Sequence, residues 1–232
     1  YDAFNRFCSC LVYVPKERYN TELRKAMEDI LTQGFDTNSI IFTTMFSESV
    51  LARIHFMIHL KNDAHRLNSV ALQTIEQKLI DVGRTWSDDL QLYLIEQYGE
   101  EQGNLLFHRY RQAFSASYTT HFNPHVAVID IKYLELLDED ESLKMNFYRE
   151  LDDQDGYFKL KLYQKNNTIP LSDVLPIIEN MGLRAISERP FSLKLDEEKT
   201  YWVNEFTIFY PNAQNLDIDD VRDYFQTAFL KV

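Results

Sequence analysis

Two pairs of histidines have a spacing that could suit metal binding. His55 and His59 lie four residues apart, and on a helix this spacing can bind zinc when a third ligand and a carboxylate base are present. Apolar and polar residues alternate around them, which predicts a strand. On a strand the two rings share a face but lie far apart, so an outer sheet face is favoured over a metal site. His121 and His125 flank Asn123-Pro124, where a turn into a helix is the ordinary interpretation.

Arg18 and Asn20 are the second group with possible chemistry. They precede the first predicted helix, where free backbone N–H groups and a nearby cation favour a bound anion. Capping of the helix explains the same residues. Both interpretations stay open from the sequence.

Glycines suited to a cofactor site are absent from the sequence. Dinucleotide and nucleotide sites need glycine where the backbone approaches phosphate, yet the nearest two glycines are Gly99 and Gly103, between predicted helices. Glu188-Arg189 precedes Pro190, and we interpret it as a structural ion pair at a sheet edge or bulge. The sequence therefore predicts no catalytic, cofactor-binding or metal-binding residue, which disfavours a stand-alone hydrolase or metalloenzyme.

The charge and composition limit the partners and the compartment. A net charge of −12 without a basic run disfavours nucleic acid and anionic membranes as partners. No apolar run approaches the ~20 residues of a membrane span. Cys8 and Cys10 are expected on one strand face as free thiols of a reducing cytosol, so we predict a cytoplasmic protein. The start at Tyr1 and the helical pattern at the end suggest a piece of a longer polypeptide.

The first part of the chain reads as a small α/β unit. Strands are predicted at 7–14, 39–46 and 52–60, and helices at 21–33 and 69–82. Asn20 or Thr21 can cap the first helix, and Gly34 is expected just past its end. A helical block follows, with helices at 86–98 and 100–114 and a third opened by Pro124. The acidic run 138–141 predicts a solvated turn or a boundary.

The last part repeats the order of the first. Strands are predicted at 157–163, 183–195 and 200–210, with 143–150 pairing before them, and helices follow Pro170 and Asp217. In the first of these strands Phe158, Leu160 and Leu162 share one face and Lys159 and Lys161 the other. We therefore predict an α/β (α+β) fold with two ferredoxin-like βαββα units and antiparallel sheets. Each unit lacks a last strand, which we expect from the other unit or from sequence outside the chain.

A helical block bridges the two units. The predicted domains are 1–83 for the first unit, 84–137 for the bridge and 138–232 for the second unit.

Several stretches resemble one known family when taken in order. They are SCLVYVP at 9–15, RYNT at 18–21, SES at 47–49 with ARIHF at 52–56, RTWSDDL at 84–90, PLSDVLP at 170–176, ENMGLR at 179–184 and ERP at 188–190. In this order the chain resembles the large bacterial NAD-specific glutamate dehydrogenases over nearly its whole length. The resemblance implies a segment N-terminal to the catalytic core, with regulatory modules of the ACT type and helical motifs.

The resemblance also implies a function. The parent enzyme would oxidatively deaminate glutamate to 2-oxoglutarate with NAD, while this segment would hold no cofactor. Its partners would be the remainder of the polypeptide and sister subunits, in a role of regulation or assembly. The alternative is an ACT-type module that senses an amino acid through Arg18, Asn20, Asn167 and Arg184. Effector-binding ACT modules usually have glycine between the first strand and helix, whereas the loops 15–19 and 164–168 contain none.

Overall fold

The chain folds into two compact units, Tyr1–Thr85 and Trp86–Val232. The structure is a computed structural model. It describes residues 1–2, 6–37, 39–61, 67–140, 143–150, 155–197, 199–210, 227 and 229. Within this part of the chain, no helix is both long and apolar enough to cross a membrane.

The first unit is a three-stranded antiparallel sheet with two helices. Its elements are β1 (Phe7–Pro15), a 3-10 turn (Lys16–Arg18), α1 (Thr21–Gly34), β2 (Ile40–Phe46), β3 (Leu51–His59) and α2 (Ser69–Gly83). The strand order is β1-β3-β2. Alternation along β3 buries Ala52, Ile54, Phe56 and Ile58 against α1 and α2, as a strand with one covered face requires.

The end of α1 corrects one sequence prediction. Gly34 is the last helical residue and has no positive φ; the left-handed position past the helix end is Asp36, with φ 47°. A Cβ on Gly34 would lie 2.6 Å from Cδ1 of Ile75 on α2. Glycine therefore lets α2 pack closely here. By contrast, Gly182 has φ 76° and lies just past the helix that follows Pro170, as a C-terminal glycine does.

The second unit begins with four helices. These are α3 (Trp86–Tyr98), α4 (Glu100–Tyr110), α5 (Ala116–His121) and α6 (Pro124–Asp140). The single helix predicted over 100–114 is wrong beyond Tyr110. The chain turns there, Phe114 bridges to Leu193, and the Lys194 N–H donates to the Ala113 carbonyl at 3.2 Å. Pairing with a sheet thus replaces the last helical turn, and α5 begins after it.

The described part of the acidic run lies in α6. Asp138 to Asp140 continue the helix and form no turn, so the predicted solvated turn is wrong for these residues. Leu134 and Leu137 of the same helix are buried, and their packing stabilises this part of it.

A four-stranded antiparallel sheet completes the second unit. Its elements are β4 (Lys144–Tyr148), β5 (Tyr157–Lys165), α7 (Leu171–Asn180), β6 (Arg184–Lys194) and β7 (Thr200–Phe209). The order β4-β5-β7-β6 contains β5-β7-β6, which repeats β1-β3-β2 of the first unit. Pro190 lies on the edge strand β6, which has an irregularity between Ala185 and Ser187, as the sequence predicts.

The position of β4 corrects the expectation of a missing last strand. In a βαββαβ sheet the last strand lies beside the first, and here β4 takes that place by pairing with β5. The strand therefore comes from residues that precede the second repeat. The expectation of a strand from the other unit or from outside the chain is therefore wrong for the second unit, while for the first unit it stays a prediction.

The second sheet is covered on both faces. One face packs against α7, with Phe158, Leu160 and Leu162 in its core. The other packs against the four helices, with Tyr163, Phe191 and Val203 in a second core. The predicted bridge therefore forms one layer of the second unit. Most of the predicted last helix, from 218, lies outside the described residues, although Phe229 packs in the α7 core.

Candidate functional site

The four predicted effector residues lie in different units. Arg18 donates from Nη2 to the Gly83 carbonyl at the end of α2, and Asn20 Oδ1 accepts from the Leu23 N–H at 2.8 Å as the cap of α1. Asn167 follows β5 in an exposed turn, and Arg184 opens β6 with an exposed side chain. Arg18 and Asn20 therefore have structural roles of their own, and an effector role for the four stays a prediction.

The predicted histidine and cysteine positions are ordinary surface and core positions. His55 lies on the outer face of the first sheet, where Nε2 is 2.7 Å from Ser9 Oγ. Both cysteines are free, and burial raises the pKa of the Cys10 thiol to about 11. In the described residues no group of three or more His, Cys, Asp or Glu side chains is placed to hold a metal ion.

The most charged interior of the molecule lies between α6 and the second sheet. Asp130 and Lys161 are both fully buried, and Lys161 Nζ donates to Asp130 Oδ1 at 3.0 Å and Oδ2 at 2.7 Å. Tyr118 and Tyr163 donate to the same carboxylate at 2.5 and 2.8 Å. The ammonium also lies 3.7 Å from the centre of the Phe122 ring. The cluster ties α5, α6 and β5 together.

The tyrosines of this interior are held in their protonated form. Burial, followed by the Asp130 carboxylate, raises the pKa of Tyr118 and of Tyr163 well above the usual value. Burial and the Glu205 carboxylate raise the pKa of Tyr148 in the same way. Protonated phenols can donate hydrogen bonds, so each carboxylate keeps its donors at neutral pH.

Lys161 is not placed to react. A lysine nucleophile has to be accessible and deprotonated, whereas this ammonium is buried and bound through both oxygens of Asp130. A paired and fully hydrogen-bonded buried charge favours one arrangement of helix and strand. The arrangement therefore acts as a clamp between the helical layer and the sheet.

A second polar chain leads from the interior to the surface. Glu205 is 3% exposed, and it accepts from the Tyr148 hydroxyl at 2.9 Å. His121 Nε2 lies 3.3 Å from its other oxygen. Arg189 Nη1 lies 3.1 Å from His121 Nδ1 and 2.8 Å from Nε2. The predicted Glu188–Arg189 ion pair is wrong, because neighbouring strand residues point to opposite faces and Glu188 instead accepts from Asn204 at 2.6 Å.

The outer end of this polar chain opens on a cleft between α5 and β6. Its volume is about 630 Å³, and it is lined by Ser117, Thr120, His121, Arg189 and Pro190, with Ala116, Glu188 and Phe191. The His121 ring stacks on Phe191 with centroids 5.7 Å apart. Volumes of about 300–1,000 Å³ are typical of small-molecule sites.

Family models match three consecutive parts of the chain. Residues 1–87 match the glutamate dehydrogenase ACT2 domain, 93–137 match glutamate dehydrogenase helical motif 2, and 142–221 match the glutamate dehydrogenase ACT3 domain. The chain belongs to the NAD-specific glutamate dehydrogenase family. In the domain names of this family, the first unit corresponds to ACT2. The second unit combines helical motif 2 with ACT3.

Proteins named NAD-specific glutamate dehydrogenase are similar along the whole chain. The protein of Halomonas elongata is 37% identical over 231 residues, and that of Pseudomonas aeruginosa is 35% identical over 231 residues; both alignments cover 100% of this chain. The Mycobacterium tuberculosis protein is 31% identical over 220 residues, covering 89% of the chain. The chain spans only 13–14% of the length of these relatives.

Sequence reasoning missed both polar clusters of the second unit. Asp130 and Lys161 are 31 residues apart, and His121 and Glu205 are 84 apart, so no local spacing joins them. One signal was available: Asp130 is the single acid of the otherwise apolar stretch 126–131, between Ile129 and Ile131. An acid in such a place needs a partner.

Proposed function

We propose that the chain is a non-catalytic segment that serves the regulation or assembly of an NAD-dependent glutamate dehydrogenase. The observation that carries this proposal is the set of three glutamate dehydrogenase domain matches, which together account for most of the chain. The parent reaction would be the oxidative deamination of glutamate to 2-oxoglutarate. NAD would bind in other parts of the polypeptide, and the residues that contact it would lie there too.

The partners in this proposal are the remainder of the polypeptide and sister subunits, in the cytoplasm. The outer face of the first sheet supports an assembly role, because it exposes Leu11, Tyr13, Ile41 and Met45 by more than half of each side chain. Exposed apolar patches are typical of protein contact surfaces. We propose the domain organisation 1–83, 84–137 and 138–232.

Two measurements test this function. The purified chain should form no NADH from NAD and glutamate, while the complete polypeptide should. Mixed with the remaining polypeptide, the chain should sediment as a complex. The proposal would be contradicted if the chain alone formed NADH. It would also be contradicted if the chain stayed a monomer when mixed with the remaining polypeptide.

A matched pair of variants tests the assembly surface. Ile41→Lys places a charge on the exposed apolar face, so it should weaken association, because burying an unpaired charge at an interface is costly. Val70→Lys makes the same change on α2, where Val70 is 67% exposed, and should leave association unchanged. Equal effects of both variants would remove this face from the proposal.

The second candidate function is an amino-acid-sensing ACT module. It is favoured by the two ACT matches and by polar residues at the element ends, namely Arg18, Asn20, Asn167 and Arg184. A ligand that binds only the folded chain must raise its melting temperature. Thermal unfolding with each amino acid well above physiological concentration tests this, and no shift with any of them would remove the idea.

A further inference from the structure

We infer that the cleft between α5 and β6 is a binding site for a small carboxylate, held by Arg189 and oriented through His121. This inference rests on the proposal that the segment senses a ligand, and it moves the site away from the element ends suspected from the sequence. Neither family match nor relative assigns a role to this cleft.

The first argument is the state of Arg189. Its side chain is exposed on the edge strand, and its Nη1 contacts the His121 ring. Among the described residues no carboxylate lies within ion-pair distance of it. A guanidinium carries five donors in a fork that matches a carboxylate. Nε and Nη2 therefore keep donors for a ligand in the cleft.

The second argument is the chemistry that holds the guanidinium in place. Nη1 of Arg189 lies 2.8 Å from Nε2 and 3.1 Å from Nδ1 of His121, so the guanidinium is held against the imidazole ring. The same Nε2 lies 3.3 Å from a Glu205 carboxylate oxygen, which fixes the position of the ring. Glu205 is itself buried and bound by Tyr148. This Glu205–His121–Arg189 chain orients the cation, and a pre-oriented cation loses less entropy on binding an anion.

The cleft wall supplies the remaining groups. Ser117 lines the cleft from α5, while Arg189 lines it from β6, and the Ser117 hydroxyl can donate a further hydrogen bond to a carboxylate. Phe191 and Pro190 offer an apolar surface to the body of the ligand. The two carboxylates near the cleft have protein partners of their own: Glu205 accepts from Tyr148, and Glu188, which lines the cleft, accepts from Asn204. Neither is therefore the partner of the Arg189 guanidinium.

Calorimetry on the complete chain tests the site, with L-glutamate, 2-oxoglutarate and inorganic phosphate as probes. We expect saturable binding of a carboxylate probe, and Arg189→Gln should weaken it at least tenfold. Arg111→Gln removes another exposed arginine of the second unit that does not line the cleft, and this variant should bind as the unmodified chain does. Tryptophan fluorescence confirms that both variants remain folded.

Each other outcome overturns the inference. No saturable binding of either carboxylate would remove the site, and so would binding that survives Arg189→Gln. Binding lost in Arg111→Gln instead would place the site outside the cleft. Phosphate binding as tightly as both carboxylates would refute the ligand class. None of these measurements involves NAD turnover, so failure here leaves the non-catalytic role in the dehydrogenase standing.

Discussion

Replacing Asp130 should loosen the helical layer from the second sheet. Asp130→Asn keeps the size of the side chain but removes the charge that neutralises the fully buried Lys161. The carboxylate accepts from Lys161, Tyr118 and Tyr163, whereas an amide has a single acceptor oxygen and presents a donor to the ammonium. Breaking a buried pair by removing one partner costs about 3–5 kcal/mol. We expect a loss of that size in the free energy of unfolding.

The assay can report on the second unit alone. Both tryptophans of the chain, Trp86 and Trp202, lie in that unit, and Trp86 packs 5.0 Å from Phe114 and 6.2 Å from Tyr118. Tryptophan emission in a urea titration therefore follows its unfolding. With a urea dependence of about 2 kcal/mol per M, the midpoint should fall by roughly 2 M.

A double-mutant cycle separates the pair from its surroundings. Lys161→Met alone leaves a buried carboxylate and should also destabilise, whereas Asp130→Asn with Lys161→Met leaves no buried charge. The double variant should be more stable than the sum of the two losses predicts. Asp173→Asn and Lys132→Met make the same changes at exposed positions and should shift the midpoint little. Additive losses, or a loss below about 1 kcal/mol for Asp130→Asn, would refute the clamp.

Three further predictions follow from packing and titration. Gly103→Ala should destabilise the second unit by about 1–3 kcal/mol in urea unfolding, because its Cβ would lie 2.6 Å from the Ile95 backbone; an unchanged midpoint would contradict this. The Cys10 pKa is raised from 9.0 to about 11, so alkylation should be slow at neutral pH, and stability should be lost as pH rises from 9 to 11. The raised pKa values of Tyr118 and Tyr163 predict that unfolding midpoints of the second unit fall above pH 10; a flat profile would count against them.

The sequence predicts the sheets well because their signals are local. Alternation along β3 and β5 marks the buried faces, and the bounds of these strands differ from their predictions by one or two residues. Asn20 is the cap of α1, as one of the two open interpretations holds. Capping and alternation depend on residues a few positions apart, so no tertiary knowledge is needed.

The layers could not be predicted because they depend on contacts between distant residues. Alternation along β5 places Lys161 opposite the apolar face, and such a pattern is typical of a face in water. Whether helices cover that face depends on where α5 and α6 dock, which their own amphipathic patterns do not specify. The cleft was missed for the same reason, since His121 and Arg189 meet only after the helices pack on the sheet.

The two sheets show that hydrophobicity alone does not decide which face is covered. The exposed outer face of the first sheet carries Leu11 and Ile41, while the covered face of the second carries Lys161 and Glu205. A purely apolar covered face would tolerate helices at several angles, because apolar contacts have no direction. Buried charges whose partners lie on particular helices allow only one packing angle. If Asp130→Asn unfolds the second unit no more easily than its exposed control, this explanation of the layered fold fails with the clamp.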